Sequence, residues 1–367
     1  MLLVYILIFV ILFYGMSFKK KEFNLDGYLS IDSTKSVKGF FLMLVIMSHF
    51  TAEFDFTRPI DIYGYNITHF LGQLLVTMFM FYSGYGISES VKRKGTAYVM
   101  KMPYNRIFKT WLNFAVATVF FLIADLLLGN EIGIKKAVLS FLAWESLGSN
   151  NWYIFTIIAL YAMTFISFAL IRNKIKPAAL LTTVLCVVYI AVMMQVKERW
   201  WYDTVICYLL GLWYSIYKQK LEKLFTRNNI IYSVSFIASI AIFIVCKMFS
   251  EVVSAEAVGF ILHEVYLISF TAGVVLLTLK INFKNKILLW FGDHLFEIYI
   301  THKLPLTVIK ETGLISTSQP YLFFAVFIVC VLIIAVLFKK LIVLIDSALF
   351  KKRGTERKPA VVDNKNQ

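Results

Sequence analysis

The chain has 367 residues, of which 59% are hydrophobic and only 16% are charged. A soluble domain is typically about 45–50% apolar and about 25% charged, so this composition excludes an ordinary soluble protein and indicates a polytopic membrane protein. The formal net charge is +15, but the basic residues cluster in short loops between apolar segments, where they orient membrane spans. We therefore expect contact with membrane lipids and no nucleic-acid partner.

Eleven segments are apolar enough to be interpreted as transmembrane helices, although two of them are short for a span of about 20 residues. They are residues 1–18, 36–50, 68–88, 107–128, 152–171, 178–195, 200–217, 230–249, 260–279, 287–303 and 320–338. The first segment lacks the basic start and small-residue cleavage site of a signal peptide, so we expect it to be retained. The predicted fold class is an all-α polytopic membrane protein with about eleven transmembrane helices.

The charge of the loops alternates along the chain. Loops after odd-numbered segments are basic, as in Lys92–Lys94, whereas the intervening loops are acidic or mixed, as at Glu251 and Glu256. By the positive-inside rule, this pattern places the N-terminus outside and the C-terminus in the cytoplasm.

The second segment, "KSVKGFFLMLVIMSHF", carries Lys38 near its cytoplasmic end and His49 near its external end. Eleven positions correspond to about 16 Å along a helix. A lysine at a helix end can extend its charge to the interface, and a histidine there is only mildly unfavourable. On these grounds alone, a functional pair and two interfacial residues are both possible.

Two further stretches carry polar or small residues near the apolar layer. In "FLGQLLVTMFMFYSGYGISES", Ser83 and Gly84 form either a packing notch or part of a site. In "SLGSNNWYIFTI", the polar external loop leads through Asn151 to Trp152 and Tyr153, which form either an interfacial aromatic belt or a platform for a sugar.

The stretch "WFGDHLFEIYITHKLP" places Glu297 and Tyr299 inside the apolar layer and His302 at the external end. A carboxylate there requires a partner or a water-filled cavity, so this helix is expected to face a cavity. His69 and His263 are interpreted as interfacial. The four cysteines lie in apolar runs, so we predict no disulfide, thiol nucleophile or metal site.

In their shared order, these motifs resemble the bacterial acyltransferase-3 family, whose members O-acylate, and usually O-acetylate, cell-surface glycans. The resemblance rests on a basic residue eleven positions before a histidine, on "FMFYSGYGI", "NRIFKT" and "NWY", and on "EIYITH" with a following proline. It covers about residues 30 to 345 and is to the stand-alone type without a fused esterase-like domain. The family usually has arginine where this chain has Lys38, which keeps the charge but loses the bidentate fork.

The resemblance implies a domain organisation. Residues 1–29 are expected to form an extra N-terminal transmembrane helix with a basic cytoplasmic linker. Residues 30–350 are expected to form the membrane acyltransferase domain, with a core of ten helices, and residues 351–367 a disordered cytoplasmic tail.

The resemblance also implies a reaction in the bacterial cell membrane. Acetyl-CoA is the expected acyl donor, with its phosphates held at the cytoplasmic face by Lys38, Arg106 and Lys109. His49 is the expected catalytic residue, as a general base or as an acyl carrier, oriented by His302 and Glu297. The residues expected to contact the acceptor or the reacting group are Ser83, Gly84, Asn151, Trp152, Tyr153 and Tyr299.

Two other functions fit parts of the sequence. A transporter or flippase for a lipid-linked glycan explains the number of spans and the aromatic mouth, but not a basic residue and a histidine at opposite ends of one helix. A non-catalytic sensor or scaffold would leave both histidines interfacial. The sequence leaves open which extracellular or lipid-linked glycan accepts the acyl group, the length of that group and the oligomeric state.

Overall fold

The chain is almost entirely helical. The structure, a computed structural model, describes residues 1–19, 22–54, 59–172, 174–283 and 285–350. Within these ranges the α-helices are α1 Leu2–Phe13, α2 Ile31–Thr51, α3 Pro59–Leu71, α4 Leu74–Lys94, α5 Thr96–Val99, α6 Lys109–Leu127, α7 Ile134–Phe141, α8 Asn151–Leu170, α9 Ile175–Val196, α10 Val205–Phe225, α11 Asn229–Val252, α12 Glu256–Lys280, α13 Lys286–Asp293, α14 Leu295–Thr301, α15 Lys303–Glu311 and α16 Pro320–Phe350. The predicted tail, residues 351–367, lies outside the described residues.

Two short helical segments and two strands complete the described chain. A π-helical segment, Pro103–Phe108, leads into α6, and a 3₁₀ turn, Arg199–Trp201, precedes α10. Strands β1 (Met16–Phe18) and β2 (Ile281–Phe283) pair antiparallel. This ribbon joins the chain after α1 to the chain after α12, so main-chain hydrogen bonds attach the first helix to the rest of the fold.

Seven helical stretches of the described residues are long and apolar enough to cross a membrane. They are Asp61–Lys94, Pro103–Leu127, Asn151–Leu170, Ile175–Val196, Asn229–Val252, Glu256–Lys280 and Pro320–Leu349. The expectation of a nearly all-α, multi-pass protein is therefore confirmed. Each of the eleven predicted segments coincides at least in part with helix, but α1 has only 12 residues. The count of eleven crossings and their orientation stay predictions.

Helix α2 lies inside the bundle. Ser30 caps its start by accepting a hydrogen bond from the amide of Ser33, which satisfies one of the free N–H groups of the first turn. Fourteen of its 21 residues are buried, and it packs against α1, α3, α4, α13 and α14. A charged or titratable side chain in a membrane protein normally faces the bundle interior or a cavity. The position of α2 therefore explains how its apolar run accommodates Lys38 and His49.

Helices α13 and α14 meet at a change of chain direction. A Cβ atom added at Gly39 would overlap the carbonyl oxygen of Leu288, and one added at Gly292 would overlap the carbonyl oxygen of Lys35. Helix α13 therefore contacts α2 first at Gly39 and then, one turn later, nearer the start of α2, at Lys35. Helix α14 runs the other way, toward the end of α2 that carries His49. The backbone departs from helical values at His294 (φ −109°, ψ 19°). The predicted tenth span consists of two short helices rather than one continuous span.

Helices α4 and α10 also pack with their backbones in close approach. A Cβ atom at Gly84 would overlap the carbonyl oxygen of Tyr208, and one at Gly211 would overlap that of Phe81. Small residues permit such approach between membrane helices. Of the two interpretations of Gly84, the structure therefore favours the packing notch.

Candidate active site

Two histidines from distant parts of the chain meet at one end of α2. The Nδ1 atom of His49 lies 2.7 Å from the Nε2 atom of His302, and the two ring planes are inclined by only 13°. His302 is fully buried, whereas His49 is half-buried. His49 is therefore the member of the pair that a substrate can approach.

The surroundings of His302 determine where the protons of the pair lie. Its Nδ1 atom is 2.9 Å from the carbonyl oxygen of Ile298. A carbonyl oxygen only accepts, and a neutral imidazole has one N–H and one lone pair. Nδ1 of His302 therefore carries the proton and its Nε2 accepts, so the Nδ1–H group of His49 donates to it. This arrangement leaves the lone pair of His49 on Nε2, where it can act as a base or a nucleophile.

Asn150 is the third polar side chain at this point. Its Nδ2 atom lies 3.4 Å from both His49 Nδ1 and His302 Nε2, and the residue is 4% exposed. The predicted contact residue Asn151 instead donates to the carbonyl oxygen of Ala143 at 2.9 Å. Asn150 was missed because both asparagines lie in the same polar loop, and the sequence alone does not show which one faces the histidines.

A cavity of about 540 Å³, here called the first basic cavity, opens near the other end of α2. Its charged lining residues are Lys35, Lys38, Glu89, Arg93 and Arg106. Lys35 is paired with Asp293 at 2.6 Å. Lys38, by contrast, has no hydrogen bond or ion pair to any described residue, so its ammonium group is available to an anion. Two of the three predicted phosphate-binding residues, Lys38 and Arg106, thus share one cavity.

A line of hydroxyls and aromatic rings leads from this cavity to the histidines. Ser83 lines the cavity and donates to the carbonyl oxygen of Phe79 at 2.7 Å, and the ring centroid of Phe79 lies 6.3 Å from that of Tyr153. The ring centroid of Tyr153 lies 4.9 Å from that of Tyr299, which is in turn 6.3 Å from that of His302. Three residues predicted from separate motifs, Ser83, Tyr153 and Tyr299, therefore lie between the two ends of the site.

Other predicted site residues lie apart from it or make no polar contact with it. Lys109 does not line the first basic cavity and forms an ion pair with Asp346 at 2.5 Å. The half-buried side chain of Glu297 forms no hydrogen bond or ion pair within the described ranges. Its predicted role in orienting His49 stays a prediction. Trp152 packs edge-on against Tyr153, with centroids 5.8 Å apart. The backbone of α10 packs directly against Gly84.

His263 belongs to a second buried polar cluster. Its Nε2 atom is 3.2 Å from Oδ2 of Asp203, and its Nδ1 atom is 2.8 Å from the hydroxyl of Tyr266. His263 is 9% exposed and Asp203 only 1%. This cluster was not predicted, because the carboxylate partner of His263 lies on a different segment, 60 positions away.

Comparison with known protein families gives a match over most of the chain. A family model of the acyltransferase-3 type, described as an acyltransferase domain, matches residues 28–340. Neither a curated protein nor a solved structure matches the chain. In the part of the chain that the structure describes, no group of three or more His, Cys, Asp or Glu side chains is placed to hold a metal ion.

Proposed function

Because the chain belongs to the acyltransferase-3 family and is a membrane acyltransferase, we propose that it transfers an acetyl group from cytoplasmic acetyl-CoA to a hydroxyl group of an extracytoplasmic glycan. The observation that carries this proposal is the arrangement on α2. Lys38 faces a basic cavity, and His49, eleven residues further, is held by His302. Eleven residues are close to three helical turns, so both side chains lie on similar sides of the helix, about 16 Å apart along its axis.

The first basic cavity is suited to the phosphates of the donor. Lys38 and Arg106 both line it, and charge-assisted hydrogen bonds from such groups to phosphate oxygens are stronger than neutral ones. The hydroxyl of Tyr82, also in the lining, is buried without a hydrogen-bond partner among the described residues. It can therefore donate to a bound anion. From here the uncharged pantetheine arm can extend past the contacting rings of Tyr153 and Tyr299 toward the histidines.

His49 performs the proton transfers. Its Nε2 atom removes the proton of the acceptor hydroxyl as the hydroxyl oxygen bonds to the thioester carbonyl carbon. The carbon–sulfur bond then breaks, and the imidazolium of His49 returns the proton to the departing thiolate. During this step the Nδ1–H group of His49 stays bonded to His302. That bond strengthens as His49 becomes positively charged, because hydrogen bonds from charged donors are the stronger ones.

A variant of this chemistry uses the same atoms. The Nε2 lone pair of His49 can attack the thioester carbon first, so that the carbon–sulfur bond breaks and the thiolate leaves. The acetyl group then passes from Nε2 to the acceptor hydroxyl oxygen, and the proton of that hydroxyl is taken up by the thiolate. Both routes place the reacting carbon at His49, so both make the same prediction for its substitution.

The test compares His49→Ala with His69→Ala in purified, membrane-reconstituted protein. His69 is an exposed histidine that stacks on Tyr65 and lies outside the site, so its substitution controls for the loss of an imidazole. We expect His49→Ala to abolish transfer of labelled acetyl groups to isolated cell-envelope glycan and to preserve acetyl-CoA binding. Undiminished transfer would show that His49 is not catalytic.

The same experiment separates the rival functions. A transporter for a lipid-linked glycan would give neither CoA binding nor labelled product in the unsubstituted protein. A scaffold would likewise be inactive. Mass spectrometry then compares envelope glycans from cells with and without the gene. The acceptor is the glycan that lacks the mass of an acetyl group when the gene is absent.

A further inference from the structure

A second basic cavity adjoins the first. Its volume is also about 540 Å³, and it lies where the end of α4, the start of α9 and the end of α10 meet. The charged residues that line it are Glu89, Lys92, Lys176, Lys218, Lys220 and Glu222. No step of the proposed acyl transfer uses this cavity.

Two of its four lysines have no ion pair to a described residue, and a third forms only a long one. Lys92 is fully engaged, since its ammonium group donates to Glu89 at 2.5 Å and to the carbonyl oxygen of Ser215 at 2.7 Å. Lys218 forms a long ion pair with Glu222 at 3.7 Å and lies 5.6 Å from the ring centroid of Tyr28. Lys176 lies over the ring of Tyr217 at 5.4 Å. Neither Lys176 nor Lys220 has an ion pair to a described residue, so the cavity presents positive charge that the surrounding carboxylates only partly compensate.

Glu89 lines both basic cavities and marks their boundary. Its Oε1 atom accepts hydrogen bonds from Lys92 and from the hydroxyl of Ser215 at 2.7 Å. The one carboxylate between the two cavities is therefore neutralised by the fold and does not repel an anion that extends across them. An elongated ligand with phosphate groups at separated positions matches this pair of cavities.

Coenzyme A is such a ligand, since it carries a diphosphate between its pantetheine arm and its nucleoside, and a separate phosphate monoester on the ribose 3′ position. Resting on the proposed function, we infer that the second basic cavity binds this 3′-phosphate while the first holds the diphosphate. Lys176, Lys218 and Lys220 then contact the monoester, whose higher charge suits a cluster of ammonium groups. The enzyme thereby distinguishes CoA from its 3′-dephospho form.

The test measures the dissociation constants of CoA and 3′-dephospho-CoA for the full chain in phosphatidylcholine nanodiscs. We expect the unsubstituted protein to bind CoA on the order of tenfold more tightly, as a few partly exposed charge-assisted contacts give. The triple variant Lys176→Gln, Lys218→Gln and Lys220→Gln should bind both nucleotides equally. The single variant Lys218→Gln should lose part of the discrimination, and it gives a second measurement if the triple variant is unstable.

Two matched variants test whether the discrimination between the nucleotides comes from the second basic cavity. Lys223→Gln removes an exposed charge from α10 outside the cavity lining, and it should keep the full discrimination. Lys38→Ala should weaken the binding of both nucleotides by the same factor, because Lys38 lines the first basic cavity. Equal discrimination in the triple variant and the unsubstituted protein would overturn the inference while leaving the proposed function intact.

Two other outcomes would also overturn it. If the unsubstituted protein binds neither nucleotide, the proposed function and the inference fail together. The lysine cluster could instead bind phosphatidylglycerol when the nanodiscs contain that lipid. The triple substitution will then change only the dependence on phosphatidylglycerol, and nucleotide discrimination will be the same in all variants. The cavity would then be a site for anionic lipid headgroups.

Discussion

Replacing His302 tests the inferred proton arrangement. Leucine at this position removes the acceptor of the His49 Nδ1–H group, whereas glutamine can present a side-chain oxygen in its place. A hydrogen bond to a charged group contributes about 1.5–3 kcal/mol. If His49 loses this stabilisation only when it is positively charged in the transition state, kcat falls by about 10- to 150-fold, since about 1.4 kcal/mol corresponds to a factor of ten.

The assay follows release of CoA thiol and transfer of labelled acetyl groups at varied acetyl-CoA concentrations. We expect His302→Leu to lower kcat by the full factor and His302→Gln to recover part of it. The KM for acetyl-CoA should change little, because the first basic cavity lies at the other end of α2. Thermal unfolding of each variant controls for the complete burial of His302.

Two results would refute this reasoning. Equal kcat values for the leucine and glutamine variants, both well below the unsubstituted protein, would show that a side-chain acceptor at this position does not replace the function of His302. An unchanged kcat in both variants would show that His49 needs no partner.

Three further predictions concern other parts of the site. Lys38→Ala should weaken CoA binding about tenfold and Lys38→Arg should preserve most of it, measured by calorimetry, whereas Lys109→Ala should change it less than about twofold because Asp346 already engages that lysine. Asn150→Ala should lower kcat several-fold in the acetyl-transfer assay, as its contacts to the histidines are long; a larger loss of CoA affinity than of kcat would contradict its placement. Gly84→Ala should lower the free energy of unfolding by about 1–3 kcal/mol, as overpacking does, with Gly86→Ala as the control, since no atom lies within 4 Å of a Cβ there.

The local features of the site were predictable from the sequence. The helix that carries Lys38 and His49 follows from its apolar run, because hydropathy and helix formation depend on neighbouring residues. The order of the motifs added His302 to the same site. The atoms that join the two histidines were not predictable, since the residues are 253 positions apart and the proton arrangement depends on one backbone carbonyl.

The incorrect or incomplete expectations have a common physical origin. Lys109 stands in a basic motif, but a carboxylate 237 positions away holds it outside the cavity. His294 changes the chain direction without a proline, so composition gives no sign that the predicted span is two helices. The second basic cavity is assembled from three helices whose lysines, considered separately, appear as ordinary cytoplasmic loop charges. For Lys109 and for the cavity lysines, neighbours that are distant in sequence decide the role of a residue that the local pattern describes only by type.

Because Lys38 and His49 lie on one helix, the number of residues between them sets their separation, at about 1.5 Å per residue. In the proposed reaction, helix geometry and not the packing of separate elements sets the distance between the donor's phosphates and the reacting carbon. Inserting one residue between them would rotate His49 by about 100° about the helix axis and carry it away from its partner. Inserting eleven residues would bring His49 back to nearly the same side of the helix. It would also increase the distance between Lys38 and His49 by about 16 Å, beyond the reach of the same donor. If the proposed function holds, the spacing between Lys38 and His49 therefore selects an acyl donor by its length.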